Sequence, residues 1–467
     1  MNFAIVRYLI GWLMGIESLF LLLPAFTAVI YREPELPAYI ATALICMVGA
    51  GILCEYKPKN TKFYAREGFV AVALCWLVLA VTGALPFVLS REIPFAVDAI
   101  FEAASGFTTT GSSILTDIEA LPRGILFWRS FTHWVGGMGV LVLAIAILPS
   151  SGNALYLMQA ECPGPQVGKL VPKGKNSALY LYLIYGALTF ITIVLLFTGG
   201  MPLFDSVCHG MGIAGTGGFG IKNDSIAGYS TYCQVIITIF MILFGINFNA
   251  YFLILIRKFR QAWESEEVRA YLLIIAAATL AITFNVRGYF SSFTQAFQQT
   301  IFQVASIITT TGYATTNFDL WPEFSRTILV LLMFVGACAG STGGGIKVSR
   351  FLIMLKTVKK ELIQLLHPRS VRRIQIDGKA IEHEVVRSTN VYMGVYLFIF
   401  AFSMLLIALN NFDLITNFTA VAATLNNIGP GLSLVGPSGN FSMFSDFSKL
   451  VLIFDMLAGR LELFPLL

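Results

Sequence analysis

The chain has 467 residues, of which 57% are hydrophobic and only 12% carry a charge. Soluble domains have about 45–50% apolar and about 25% charged residues, so this composition excludes an ordinary soluble protein and predicts an integral membrane protein. The net charge of +5 comes without a basic-aromatic patch, which argues against a nucleic-acid partner. The seven scattered cysteines form no CxxC pair, which argues against a zinc site or a disulfide framework.

Ten apolar runs are long enough to cross a hydrocarbon core of about 30 Å as helices. They lie at 8–30, 37–54, 68–90, 124–149, 177–199, 233–256, 269–285, 326–356, 390–409 and 447–467. The first run is longer than the apolar core of a signal peptide, about 7–15 residues, and lacks a clear cleavage site. It therefore predicts a retained transmembrane helix.

Four shorter stretches, rich in Gly, Thr and Asn, lie between these runs. They occupy 96–115, 203–221, 297–317 and 414–433. Each is too short and too polar to cross a membrane alone, and non-helical backbone at membrane depth persists only where it is buried in protein or lines a water-filled cavity. Each stretch therefore predicts a re-entrant hairpin, with a short helix going in and an extended segment coming back.

Basic residues concentrate on alternate loops. Four clusters are visible: Lys57, Lys59, Lys62 and Arg66; Lys169, Lys173 and Lys175; Arg257, Lys258, Arg260 and Arg269; and Lys356, Lys359, Lys360, Arg369, Arg372 and Arg373. The positive-inside rule places these loops and the N-terminus in the cytoplasm, so the four hairpins open from the other side. The alternative is that the basic residues only solvate the loops. Segment 371–381 of the fourth loop predicts a β-hairpin around Asp377-Gly378, which either docks a partner or is simply solvated.

The four short stretches align without gaps over fourteen residues that end in glycine. The aligned segments are 98–111, 205–218, 299–312 and 416–429. In each one a short helix points its C-terminus, which carries about half a negative charge, at a tract poor in ionisable side chains. Four such ends around one axis favour a cation bound by backbone carbonyls and threonine hydroxyls, as in a potassium filter. A helix end with a glycine cap explains a single copy equally well.

Several further residues are candidates for function. Asp98, Glu102 and Asp205 lie at or near the starts of the short helices, where they complement the helix dipole and are candidates to attract cations. Three consecutive glycines within 336–345 cost about 1 kcal/mol each in a helix. They predict a break in the long apolar run, the alternative being a site of close helix packing. Arg460 lies in an apolar run, where an arginine is usually functional; the alternatives are a salt bridge to Glu462 and snorkelling.

These motifs together resemble the Trk/Ktr/HKT superfamily of potassium and sodium transport proteins, most closely its bacterial TrkH type. The matching segments are 107–111 (FTTTG), 134–139 (WVGGMG), 217–219 (GGF), 309–313 (TTTGY), 338–347 (CAGSTGGGIK), 423–431 (ATLNNIGPG) and 459–462 (GRLE). The resemblance covers nearly the whole chain, including two extra N-terminal helices. It also implies a longer final helix than the chain supplies after Arg460.

The resemblance implies the identity of the site residues. Its selectivity filter comprises Thr109, Thr110, Gly111, Thr216, Gly217, Gly218, Thr310, Thr311, Gly312, Asn427, Ile428 and Gly429. The K⁺ ligands among them are Thr110, Gly111, Gly217, Gly218, Thr311, Gly312, Ile428 and Gly429. The gate comprises Gly340, Ser341, Thr342, Gly343, Gly344, Gly345, Lys347 and Arg460. In the family, glycine at all four filter positions goes with potassium and serine at the first goes with sodium, so Gly111 favours potassium. The tract 215–218 is more glycine-rich than usual, which leaves the register of the second filter segment open.

The implied fold is an all-α polytopic membrane protein with four membrane helix–pore loop–membrane helix repeats around a central ion pathway. The expected divisions are two N-terminal transmembrane helices at 1–60, repeats at 61–165, 166–262 and 263–366, the last with the gating loop, and a cytoplasmic linker with the fourth repeat at 367–467. The resemblance further implies the bacterial cytoplasmic membrane, a homodimer and a cytoplasmic TrkA-type regulatory ring. The chain has no Walker A or Rossmann fingerprint, so nucleotide would bind only to that partner.

Two alternatives stay open. The first is a sodium-permeable or sodium-coupled relative, although a coupled carrier typically has inverted repeats and these four run in one orientation. The second is a polytopic membrane enzyme, for which His133, His209 and Glu102 are the available catalytic candidates. No nucleophile elbow or metal-ligand spacing accompanies them.

Overall fold

A computed structural model describes residues 2–58, 65–139, 174–370, 372–463 and 465–466. The described residues form eighteen α-helices, numbered in chain order: α1 Phe3–Phe20, α2 Leu22–Tyr31, α3 Leu36–Cys54, α4 Ala65–Leu89, α5 Ala96–Phe107, α6 Arg123–Gly137, α7 Gly174–Thr198, α8 Leu203–Gly215, α9 Thr231–Phe244, α10 Phe248–Leu255, α11 Phe259–Trp263, α12 Glu266–Val286, α13 Phe293–Ile308, α14 Glu323–Val335, α15 Val348–Leu366, α16 His383–Ile407, α17 Leu414–Leu425 and α18 Asp446–Arg460. Single turns of 3₁₀-helix lie at Arg287–Tyr289, Phe318–Leu320, Ala408–Asn410 and Ser433–Val435.

Six of the described helical segments are long and apolar enough to cross a membrane. They are Phe3–Tyr31, Leu36–Cys54, Arg66–Leu89, Leu179–Thr198, Glu266–Tyr289 and His383–Asn410. Their outer faces are apolar as well: on α7, Leu183, Phe190 and Phe197 are spaced seven residues apart and are all more than half exposed. An apolar stripe on the outside of a helix costs free energy in water but not in lipid, so these faces are the membrane surface.

The four short helices α5, α8, α13 and α17 are the buried centre of the fold. They correspond to the hairpins expected at 96–115, 203–221, 297–317 and 414–433. Each contacts, among others, a helix of a different repeat, and these contacts follow a cyclic order: α5 with α18, α8 with α6, α13 with α9 and α17 with α14. This order closes the four segments into a ring, as four repeats around an axis require.

One expected span is wrong. The run 233–256 was expected to be one helix, but α9 ends at Phe244 and α10 begins at Phe248, with a 90° bend between them. Asn247 caps α10 by accepting a hydrogen bond from the Asn249 amide. The bend has a tertiary cause, because the exposed backbone groups at the break bind another loop, described below.

The break expected in the run 326–356 is confirmed. The run divides into α14 and α15, and the non-helical segment is 336–347, two residues longer than the glycine-rich stretch that predicted it. The last expected span ends early. The run 447–467 is helical only to Arg460, where the chain turns with positive φ at Glu462 and Leu463. We call residues 336–347 the 336–347 loop.

The β-hairpin predicted around Asp377-Gly378 is confirmed as a structure. Strand β1 (Gln375–Ile376) pairs antiparallel with β2 (Lys379–Ala380), so the Asp377-Gly378 turn joins them as the sequence predicts. Asp377 also accepts a hydrogen bond from the Glu266 amide at 2.7 Å, which fixes the hairpin to the start of α12. Other predictions lie outside the described residues: 140–149 of the fourth span, the basic residues Lys59, Lys62, Lys169 and Lys173, and Cys162.

Candidate ion pathway

The four short helices all end in the same backbone turn. In each, an amide two or three residues beyond the end of the helix donates to a carbonyl five residues earlier, over 2.8–2.9 Å: Thr110 to Ser105, Gly217 to Gly212, Thr311 to Ser306 and Ile428 to Ala423. This is the hydrogen bond of a Schellman motif, which stops a helix and turns the chain sharply. The turn therefore ends all four short helices in the same way and redirects the chain that follows each of them.

The residue at the corner of each turn has left-handed backbone geometry. Thr109, Thr216, Thr310 and Asn427 have φ between 54° and 59°. Glycine usually takes this position, and a β-branched residue there is an outlier. Three threonines in this conformation store strain that the surrounding contacts must offset, and such strain clusters at functional sites.

Two residues after each corner lies a glycine with positive φ. Gly111, Gly218, Gly312 and Gly429 have φ of 81°, 80°, 84° and 101°. We call these four residues the glycine ring. The 215–218 tract, whose register the sequence left open, follows the same geometry as the others. Its corner is Thr216 and its glycine is Gly218.

The four segments contact one another in cyclic order. A Cβ atom on each ring glycine would press on a backbone carbonyl of the next segment: Gly111 on Gly217, Gly218 on Thr311, Gly312 on Ile428 and Gly429 on Thr110. Side chains close the seam between the fourth and first segments, where Ser112 Oγ donates to the Gly429 carbonyl at 2.9 Å and Asn427 Nδ2 donates to Thr110 Oγ1 at 2.9 Å. The ring is therefore closed, and any side chain at its glycines would move a carbonyl.

A cavity of about 230 Å³ is lined by all four ring glycines and by residues that follow them in the chain. Its rim includes Thr116, Ile118 and Asn223. Asn223 Nδ2 donates to the Asp117 carboxylate at 2.8 Å, and this hydrogen bond lowers the pKa of Asp117 below its ordinary value. Asp117 therefore stays ionised at neutral pH beside the cavity mouth.

Buried ionic contacts hold the first segment in place. Glu102 and Arg129 form an ion pair at 2.8 Å, with both side chains almost fully buried. Glu102 also accepts hydrogen bonds from Ser113 Oγ and the Ile114 amide, just beyond the ring. Arg129 lies over the Phe219 ring at 4.1 Å and donates to the Gly220 carbonyl, so one ion pair supports the first and second segments together.

The buried histidines support the same backbone. His133 Nδ1 lies 2.8 Å from the Gly106 carbonyl, and its Nε2 accepts from the Phe219 amide at 3.2 Å. Only the neutral tautomer with its proton on Nδ1 satisfies both contacts. His209 lies between the hydroxyls of Tyr229 and Tyr313. Glu102, His133 and His209 thus each contact structural partners, which is not the convergent geometry that the enzyme alternative requires.

The outer helix starts carry the other predicted acids. Asp98, in the first turn of α5, accepts from Lys449 Nζ at 2.5 Å, which ties the first short helix to α18. Asp205, in the first turn of α8, accepts from the Tyr229 hydroxyl at 2.8 Å. Glu102 lies one turn further along and is paired with Arg129. All three carboxylates are thus engaged in ion pairs or hydrogen bonds within the protein.

The 336–347 loop lies at the inner ends of the short helices. Its Gly344 amide donates to Thr310 Oγ1 at 2.6 Å. Its fold depends on the break between α9 and α10, where the Phe248 amide donates to the Gly340 carbonyl at 2.9 Å and the Cys338 amide donates to Gly245 at 3.0 Å. Glu267 on α12 closes the base of the loop by accepting from the amides on its two sides, Ala339 and Ser349.

Two buried basic side chains donate to carbonyls of this loop, Lys347 from within the loop and Arg460 from α18. Lys347, which is 1% exposed, donates from Nζ to the Gly343 carbonyl within the loop. Arg460 donates from Nη1 to the Thr342 carbonyl at 3.0 Å and from Nη2 to the Gly136 and Gly137 carbonyls at 2.5 and 2.8 Å. The last turn of α18 thereby joins the loop to the end of α6. Glu462, considered as a partner for Arg460, pairs with Arg350 at 2.6 Å.

The comparisons with known proteins agree with this architecture. The model of the TrkH family, described as a cation transport protein, matches residues 38–467. The chain belongs to the TrkH family of cation transport proteins. It is 36% identical to the Trk system potassium uptake protein TrkH of Salmonella typhimurium, over 100% of this chain and 98% of that protein. It is 33% identical to the Trk system potassium uptake protein TrkG of Escherichia coli, over 99% of this chain and 96% of that protein.

The fold of this TrkH-family chain also matches a solved structure. The crystal structure of the potassium transporter TrkH from Vibrio parahaemolyticus superposes with a TM-score of 0.89 at 34% identity, over 100% of this chain and 98% of that one. The chain is therefore an all-α, multi-pass bacterial inner-membrane protein. Since its family transports cations, it is a transport protein and not an enzyme.

The sequence did not single out several residues on which this TrkH-family site depends. Arg129 and Glu267 were not recognised as supports, although a charged residue inside an apolar run is a signal of function in a membrane protein. Glu267 was missed because it lies beside Glu266 at a helix start, where acids are common for another reason. Gly245 and Asn247 formed a glycine stop followed by an Asn cap, a boundary signal that the apolar composition obscured.

Proposed function

We propose that the chain mediates potassium uptake across the cytoplasmic membrane through the glycine ring. One observation carries the proposal: four segments with the same corner and glycine geometry close into a ring at the C-termini of four buried helices. The negative helix ends favour a cation there. Because relatives of this chain are named potassium uptake proteins, we take potassium as the transported cation.

The ligands in this proposal are backbone carbonyls. Segments 110–111, 217–218, 311–312 and 428–429 supply them, with Thr109, Thr216, Thr310 and Asn427 setting the corner that orients each segment. Carbonyls that replace the hydration shell of an ion are the basis of known potassium filters. The pathway then continues outward through the cavity of about 230 Å³ and inward past the 336–347 loop.

The 336–347 loop is the gate in this proposal, and Arg460 restrains it. Three features support this role. The loop lies at the C-terminal ends of the short helices, and it is not helical but is held in place by hydrogen bonds to neighbouring segments. Two buried basic side chains, Lys347 and Arg460, donate to its carbonyls. Opening requires the loop to leave the pathway, which breaks the contact between Arg460 and the Thr342 carbonyl.

Arg460→Met should raise basal flux by about tenfold. Methionine keeps much of the side-chain length but removes every donor, and losing charge-assisted hydrogen bonds of about 1.5 kcal/mol or more favours the open loop by roughly that factor. Rubidium uptake into liposomes containing the purified chain alone measures the effect. Arg460→Lys keeps the charge and should fall between the wild type and the methionine variant. Unchanged or reduced flux in the methionine variant contradicts the restraint.

The proposal also assigns partners. A homodimer with a cytoplasmic, nucleotide-binding TrkA-type regulatory subunit would act on the gate from the side of the basic loops, and the N-terminus would be cytoplasmic. The 375–380 hairpin supports such a route, because Lys356 on α15 contacts both Glu266 and the Gln375 carbonyl beside it. Helix α15 begins directly after the loop, so force on this cluster reaches the gate through one helix.

The selectivity of reconstituted flux tests the proposal. We expect potassium and rubidium to pass and sodium and lithium to lag. In Gly111→Ser the new Cβ, at φ 81°, would displace the Gly217 carbonyl, and the potassium-to-sodium ratio should fall by about tenfold, a difference of about 1.4 kcal/mol. Equal passage of sodium in the wild type would establish the sodium-permeable alternative. No flux, even with residues 336–345 deleted, would contradict the pore itself.

A further inference from the structure

The Thr310 hydroxyl differs from the hydroxyls at equivalent corners of the ring. The Thr216 hydroxyl, at a corner with nearly the same φ, donates locally to the carbonyl of the preceding residue, Gly215, at 2.6 Å. Thr310 instead accepts from the Gly344 amide, 34 residues away, at 2.6 Å. The local bond is available to a threonine in this conformation, so the contact of Thr310 with the loop is specific to the third segment.

The surroundings of this bond are buried and closely packed. Thr310 and Thr342 are fully buried. A Cβ on Gly343 would lie 3.0 Å from the Thr309 carbonyl, and one on Gly344 would lie 3.0 Å from Asn427 Cβ. Consecutive loop glycines thus pack against the residues that directly follow α13 and α17. A buried amide that loses its partner costs free energy, so the hydroxyl matters to the loop.

We propose that Thr310 is a positioning residue that couples the 336–347 loop to the ion-selective ring; this inference rests on the proposed function. Its strained corner is held partly by the hydrogen bond from Gly344. When the loop leaves the pathway, that bond breaks and the third segment loses its support. Ion selectivity and gating are therefore not independent in this chain, and they meet at one hydroxyl group of the third segment.

Hydrogen exchange and ion flux together test the coupling. In Thr310→Val and Thr310→Ala, amide exchange in the peptide covering 340–347 should rise by about fivefold, the effect of one ordinary hydrogen bond. Alanine is less strained than a β-branched residue at this corner, so Thr310→Ala still tests the coupling if the Thr310→Val protein misfolds. Thr310→Ser keeps the acceptor and should exchange as the wild type does. Thr216→Val, the same change at a corner without loop contact, should leave that peptide unaffected.

Flux separates this inference from the function on which it rests. Basal rubidium flux should rise and the rubidium-to-sodium ratio should fall in Thr310→Ala, and both should return towards wild type in Thr310→Ser. Equal exchange of the 340–347 peptide in Thr310→Ala and wild type would overturn the coupling, as would the same increase in Thr216→Val. If the wild type is selective and one of these two results is found, only the coupling is wrong and the proposed function stands. If the wild type is inactive or unselective, the proposed function itself is contradicted.

Discussion

Replacing Gly218 with alanine should abolish rubidium flux while the protein still folds and inserts. Gly218 has φ of 80°, which a residue with a Cβ adopts only under strain. Its new methyl group would also collide with the Thr311 carbonyl of the next segment. Backbone strain and the collision thus both displace carbonyls that we propose as ion ligands. We expect rubidium flux to fall by at least about a hundredfold, equivalent to about 2.7 kcal/mol. Uptake into liposomes at matched protein density measures it.

Gly186→Ala is the matched control. Gly186 lies on α7 with open space around its Cβ position, and alanine is favoured in a helix by up to about 1 kcal/mol. This variant should transport as well as the wild type. If Gly218→Ala is also folded and transports at the wild-type rate, the ring is not the narrowest part of the pathway and the proposed ligands are wrong.

Removing Glu102 should destabilise the protein strongly. Its carboxylate neutralises Arg129 inside the protein and accepts hydrogen bonds from the segment beyond Gly111. Glu102→Ala leaves a buried arginine without its counter-charge, and breaking a buried pair from one side typically costs about 3–5 kcal/mol. Thermal unfolding of the purified protein in detergent should show a clearly lower midpoint.

Glu264→Ala gives the contrast for that experiment. The Arg260–Glu264 pair is shorter, at 2.6 Å, but both side chains are exposed on the surface. Water and salt screen such pairs, so the midpoint should stay unchanged. Equal unfolding midpoints for Glu102→Ala and Glu264→Ala would mean that the charges of the buried Glu102–Arg129 pair do not stabilise the folded protein.

The sequence predicted the centre of the molecule well because its signals there are local. Short helices that end in threonine or asparagine tracts, followed by glycine, identified four equivalent segments, and all four glycines have the positive φ that this pattern implies. The break near 336–345 followed from helix propensity alone. The Asp377-Gly378 turn predicted the hairpin from turn chemistry. The roles assigned to these residues stay predictions.

The remainder depends on contacts between distant parts of the chain. Gly245 and Asn247 carry a local boundary signal for the end of α9, but the sequence does not show what the groups freed there bind, which is Cys338, Gly340 and Thr342 of the 336–347 loop. Arg460 was recognised as unusual, yet the sequence could not distinguish a loop contact from a salt bridge with Glu462. Partner choice among buried polar groups is settled only when the helices pack.

The most direct test of the central claim is to locate the ion. Crystals of the protein grown with rubidium, with diffraction measured at the rubidium absorption edge, would show bound rubidium by its anomalous signal. We expect a peak enclosed by Gly111, Gly218, Gly312 and Gly429, at the level of the carbonyls of residues 110–111 and their equivalents. A ring without a rubidium peak, in crystals where rubidium binds elsewhere along the chain, would contradict it.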